Sequence, residues 1–152
     1  VLVLGFVVAA NLGCMKCGAN LARKATEKAL EGAIEKSTGG KASIDVSGNV
    51  DISGIPAFAR YPGAKGTAKW SMSGDEGAGT VYSLETADAK DVVTTWYKTS
   101  LEGSGWKQLS VVETADATSF TYGSQDEKEN VNVTIASGDG KTAITVLYSK
   151  KQ

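Results

Sequence analysis

From Lys41 onward the chain is built of short apolar–polar alternations separated by turn residues, and one stretch breaks into a helical rhythm. Val92, Val93, Trp96, Tyr97 and Leu101 recur at three- and four-residue intervals. That spacing predicts one amphipathic helix of about three to four turns, with two large aromatics for a sheet to receive. Asp88 is placed to cap its first amides, and Asp91 puts negative charge in the first turn, where the helix dipole favours it. Gly103 and Gly105 stop it, because glycine takes the left-handed conformation that ends helices.

Around this helix the alternation predicts strands. Ile44 and Val46 face Val50 and Ile52 across Ser47-Gly48-Asn49, which reads as a small hairpin. Ile55-Pro56 and Tyr61-Pro62-Gly63-Ala64-Lys65 read as a loop or edge, since proline cannot donate to a central ladder. Thr67 to Met72 and Thr80 to Thr86 are strand-like and flank a turn at Gly74-Asp75-Glu76-Gly77. After the helix come Trp106 to Thr114, Ala117 to Tyr122, then Val131/Val133/Ile135 and Ile144/Val146/Tyr148 around a turn at Ser137-Gly138-Asp139-Gly140. The expected class is α+β: an antiparallel β-meander with one helix packed across it, over residues 41–152. Trp96, Tyr97, Trp106, Phe120 and Tyr122 fall at core spacings. Tyr61 and Trp70, close to loops, are the candidate surface contacts.

The first forty residues have a different texture. Val1 to Ala10 is an apolar run interrupted by Gly5, and Leu12 to Met15 extends it weakly. About 20 apolar residues span a bilayer, whereas a signal-peptide core takes about 7–15, so the run fits an anchor or an export segment. No methionine and no basic stretch precede it, which fits a start made by processing or by truncation. Leu12-Gly13-Cys14 has the form of a bacterial lipobox end, with Asn11 where that motif carries an aliphatic; Cys14 is the candidate lipidation site. Cys14 and Cys17 also make a CxxC, but no second ligand pair or haem-type histidine follows. Asn20 to Ser37 reads as a helix with an alanine-rich side and a charged remainder, suited to a stalk or a partner helix, and Thr38-Gly39-Gly40 ends it. Residues 1–40 are thus an apolar N-terminal anchor or signal segment plus an amphipathic helical stalk.

Chemistry enters mainly by exclusion. The chain has no histidine, which removes the commonest general base and metal ligand. Sixteen basic against 17 acidic residues leave no basic excess for nucleic acid. Glycine-rich pieces lack the lysine of a phosphate loop, no serine sits in a nucleophile elbow, and Asp126, Glu127 and Glu129 lack the spacing of an EF-hand. No catalytic, cofactor-binding or metal-ligating set is expected, and no cofactor. Asn132-Val133-Thr134 matches a glycosylation sequon within an expected strand.

The pieces ATEKALEGAIEKSTGGKASIDVSG, YPGAK, ETADAKDVVTTWYKTSLEGSGW and VNVTIASGDGKTAITVLYSKK resemble a family of small bacterial envelope proteins of uncharacterised function. The resemblance runs from about Ala25 to Lys151 and is most specific at Tyr61-Pro62-Gly63-Ala64 and at Val93, Trp96, Tyr97, Gly105 and Trp106. It implies a lipobox or transmembrane anchor, an Ala/Glu-rich helix and a compact α+β domain, and brings no catalytic residues with it.

The expectation is therefore a membrane-anchored cell-envelope protein, held by its N-terminal segment or by lipid, with a non-catalytic binding or structural domain outside the cytoplasm. The alternative is a pilin-like subunit of an extracellular filament, a homo-oligomer bundled through the 1–37 helix. Gly5 stands where type IV pilins carry a glutamate.

Overall fold

The computed structural model describes residues 27–33, 35–36, 40–74, 77–138 and 140–151. The expected apolar run, Cys14, Cys17 and Asp75-Glu76 lie outside them. Residues 27–33 and 35–36 are helical (α1). The strands are β1 (Lys41–Asp45), β2 (Lys65–Gly74), β3 (Gly77–Thr86), β4 (Lys107–Glu113), β5 (Ala117–Gly123), β6 (Glu129–Gly138) and β7 (Lys141–Lys151). Helix α2 (Lys90–Glu102) joins β3 to β4, and one 3-10 turn (Ala57–Ala59) interrupts the β1–β2 connection.

All the strands share one antiparallel sheet in the order β1-β2-β3-β7-β6-β5-β4. Two meanders make it, β1–β3 and β4–β7. Helix α2 carries the chain from β3 to the far edge, so β7 returns to pair with β3 along its whole length, from Gly77↔Lys151 to Thr86↔Thr142. Alternation sets the two faces, because successive strand residues point to opposite sides. Tyr82, Leu84, Phe120, Tyr122, Val131, Val133, Ile135, Ile144 and Val146 all point to the α2 side and are buried. Val93, Tyr97 and Leu101 of α2 complete that core, each with no exposed surface.

Three sequence expectations change. The phase of α2 leaves Val92 exposed at 57%, outside the buried i, i+4, i+8 line of Val93, Tyr97 and Leu101. Ala89, not Asp88, stands at the N-cap, without a side-chain cap, because the Asp88 carboxylate is engaged elsewhere. The Ile44/Val50 hairpin does not form. β1 pairs with β2, from Lys41↔Ser73 to Asp45↔Lys69, and Val50 and Ile55 turn inward as core residues. Val50 N donates to Gly66 O at 3.1 Å, so the segment runs beside β2 without becoming a strand. Gly66 permits this approach: a Cβ there would lie 2.7 Å from Val50 O.

The loop before β2 is fastened to α2 by polar contacts. The Tyr97 hydroxyl donates to Ala59 O at 3.1 Å, and the Ser100 hydroxyl to Phe58 O at 2.7 Å. Arg60 Nη2 donates to the Ser53 and Ile55 carbonyls, both at 2.8 Å. Phe58 packs on Trp106 with centroids 4.9 Å apart.

Candidate functional site

With α2 covering one side, the sheet's opposite face is where the domain can meet something else. Cross-strand register builds it in rows. Ile44 pairs with Trp70, Trp70 with Val81, Val81 with Leu147, Leu147 with Asn132, and Asn132 with Thr121. The row is apolar over β1, β2, β3 and β7 and polar beyond. Ile44 is buried at the α1 edge, Trp70 and Val81 are half-buried, and Leu147 is 39% exposed. Met72, one row along and paired with Gly79, is 48% exposed.

The polar half satisfies itself. Asn132 Nδ2 donates to Thr121 Oγ1 at 2.8 Å and to Ser119 Oγ at 3.2 Å, and Thr134 Oγ1 donates to Asn132 Oδ1 at 3.3 Å. The sequon asparagine is therefore held between strands. The apolar half has no such closure among the described residues; half-buried Trp70 and Val81, with exposed Leu147 and Met72, form an apolar strip. Trp70 thus stands on this face.

Tyr61 does not. It is 6% exposed, sits edge-on to Trp96 with centroids 5.1 Å apart, and its hydroxyl donates to Asp88 Oδ2 at 2.8 Å. Burial, and then the bond to Asp88, raise its phenol above the usual range. The loop position made Tyr61 look accessible, but α2 lies over it. The acidic turn is also internally engaged. Asp126 Oδ1 accepts from Ser124 Oγ at 2.6 Å and from the Lys128 amide at 3.2 Å, contacts that lower its carboxyl pKa. Glu129 pairs with Lys150 at 3.0 Å. Among the described residues no group of three or more acidic or sulfur side chains could hold a metal ion.

The two sheet edges are unlike. Along β1, the amides of Ala42, Ile44 and Val46 point away from β2, and each donates to a glutamate of α1. Ala42 N bonds Glu35 Oε1 at 3.4 Å, Ile44 N bonds Glu31 Oε1 at 2.8 Å, and Val46 N bonds Glu27 Oε1 at 3.2 Å. Four helical residues advance about 6 Å and two strand residues about 6.8 Å, so the two repeats stay in step over three rungs. The glutamate face, not the alanine face, meets the domain; Ala29, Leu30 and Ala33 are exposed. Edge strands are open templates for other strands, and this one is covered. Glutamates at every fourth position were the available sequence signal, and they read equally well as a solvated face. At the other end β4 is exposed at all seven residues, including Leu109, Val111 and Val112.

Among the described residues no helix is long and apolar enough to cross a membrane. No curated protein and no solved structure matches the chain. A family model described as START domain-like matches residues 66–146, from β2 through α2 into β7. That is more than half of the chain, and the protein belongs to the START domain-like family.

Proposed function

We propose that the protein is a membrane-anchored component of a bacterial cell envelope whose α+β domain works by binding rather than by catalysis. The observation that carries the binding reading is the apolar strip of Trp70, Val81, Leu147 and Met72 on the face opposite α2, left uncovered by the described residues. Contiguous exposed apolar surface on a folded domain marks an interaction site. The anchor rests on the apolar run Val1 to Ala10 and on Leu12-Gly13-Cys14, and the resemblance to small envelope proteins supports a domain outside the cytoplasm.

A photo-cross-linking side chain at Leu147, compared with one at Lys98 on the exposed side of α2, tests the face in native cells. The expected result is a light-dependent adduct from position 147 and none from 98. No adduct at 147, or equal adducts at both, would overturn the assignment.

A further inference from the structure

The sheet face opposite α2 carries charge as well as apolar surface, and the two together identify its partner. We propose that this face lies against an anionic lipid bilayer, its exposed aliphatics entering the headgroup layer and its lysines meeting the phosphates. The inference rests on the binding reading above and supplies the occupant of that face.

Register sorts the charges by side. Lys107 pairs with Gly123, Lys151 with Gly77 and Lys65 with Glu85, all on the face of Trp70 and Leu147. Lys141 shares that face and bonds Glu85 at 2.9 Å. Lys65, Lys107 and Lys151 form no ion pair among the described residues. Among the described strand residues of this face, the four lysines meet one carboxylate, Glu85, which leaves a charge of +3. The strands and helix of the other side are neutral. There Lys41, Lys69 and Lys150 are matched by Asp45, Glu113 and Glu129, and Lys90 and Lys98 of α2 by Asp91 and Glu102.

The exposed aliphatics favour the lysine face. Met72, Leu147 and Val112 point to it by register and are 48%, 39% and 54% exposed. The β4 bulge turns Leu109 onto it as well: a Cβ on Gly123 would lie 3.2 Å from Leu109 Cδ1. Lys107, Leu109, Gly123, Asn130 and Lys151 line a hollow there of about 260 Å³, with Glu127 at its rim. Apolar burial together with basic charge is what holds a protein on an anionic bilayer surface. The layout also suits a plane better than a protein partner. Protein interfaces gather their apolar anchors at the centre, whereas here Asn132, Thr121, Ser119 and Thr134 form a hydrogen-bonded polar middle, with Trp70 and Met72 to one side and Leu109 and Val112 to the other. Residues 11–26 separate the apolar run from α1 and reach at most about 55 Å, so an anchored domain meets the bilayer at high effective concentration.

Nitroxide labels read the contact site by site, which anchoring alone does not imitate. In the full chain with Cys14→Ser and Cys17→Ser, one label replaces exposed Thr145 on the sheet face and another replaces Lys98 on α2. On phosphatidylglycerol-containing vesicles the label at 145 should lose collisions with a water-soluble nickel chelate and gain collisions with oxygen, while the label at 98 stays in water. On phosphatidylcholine alone both should stay in water. Lys107→Glu with Lys151→Glu takes the face from +3 to −1 and should raise the lipid needed for half the effect about 25-fold, at roughly fivefold per lost lysine. Lys41→Glu with Lys98→Glu, read at position 145, makes the same charge change on the other side and should leave the response in place. A label at 145 that stays in water, that responds equally to both lipids, or that responds equally to both charge pairs would overturn the proposal. If position 145 stays in water while Leu147 captures a protein in native cells, the lipid surface falls and the binding face stands. If neither position finds a partner, both readings fall.

Discussion

The three-rung contact between α1 and β1 makes a prediction that can be read residue by residue. Outward amides of an edge strand ordinarily face water and exchange their hydrogens freely. Here Ile44 N, Val46 N and Ala42 N donate to Glu31, Glu27 and Glu35 at 2.8, 3.2 and 3.4 Å. A hydrogen bond to a charged acceptor contributes about 1.5–3 kcal/mol when sheltered. These rungs are at most part-buried, which reduces that to about 1 kcal/mol each, or roughly fivefold protection from exchange. Amide exchange followed by NMR should therefore show Ile44 the most protected of the three and Ala42 the least, following the distances. Glu31→Ala should release the Ile44 amide with little effect on Ser43 and Asp45, which belong to the β1–β2 ladder. Glu31→Gln keeps an acceptor and should retain part of the protection. Replacing Glu27, Glu31 and Glu35 together by alanine should bare the edge and promote concentration-dependent self-association. Ile44 exchange at the unprotected rate in the native chain, or unchanged exchange in Glu31→Ala, would refute the ladder.

Three other outcomes follow from the core and its tyrosines. Leu101 has no exposed surface beneath α2, so Leu101→Ala should cost about 3 kcal/mol of unfolding free energy in a denaturant titration. Gly66→Ala should cost about 1–3 kcal/mol in the same assay, because its new methyl group meets Val50 O and the Val50 and Ile52 side chains at 2.7 Å. Burial raises the phenols of Tyr61, Tyr82, Tyr97, Tyr122 and Tyr148 above 10.0. The native state then holds protons that the unfolded chain releases, so stability is fully present below about pH 10 and falls as pH rises above it. For Tyr97 alone the slope is about 1.4 kcal/mol per pH unit. Denaturant midpoints flat from pH 9 into the alkaline range, taken as about one to two units above the phenol value, would contradict the assignment.

Much of the fold was legible because its periods are local. Alternation at Val131, Val133 and Ile135 and at Ile144 and Val146 marked β6 and β7, and the spacing of Val93, Tyr97 and Leu101 marked α2. Long-range choices were not. Val46-to-Val50 is a good local hairpin pattern, yet β1 gains more by pairing with β2 while Val50 and Ile55 fill the core. The return of β7 to β3 closes the two meanders into one sheet, and nothing in either strand's own pattern specifies that neighbour. Tyr61 looked accessible because proline and glycine surround it, but its hydroxyl is drawn to Asp88 beneath α2, which also removes Asp88 from the cap. The apolar strip was visible only as Trp70. Its companions Val81 and Leu147 belong to strands distant in sequence and become neighbours through register alone.

The claim that matters most is attachment of a binding domain to a membrane. Fractionation of native cells, followed by intact mass measurement of the protein, tests it most directly. The account predicts recovery in the envelope membrane fraction, released by detergent, either with lipid on Cys14 or with the apolar run Val1 to Ala10 retained. Recovery in the soluble fraction, or as an unmodified chain in sheared filamentous material, would contradict it.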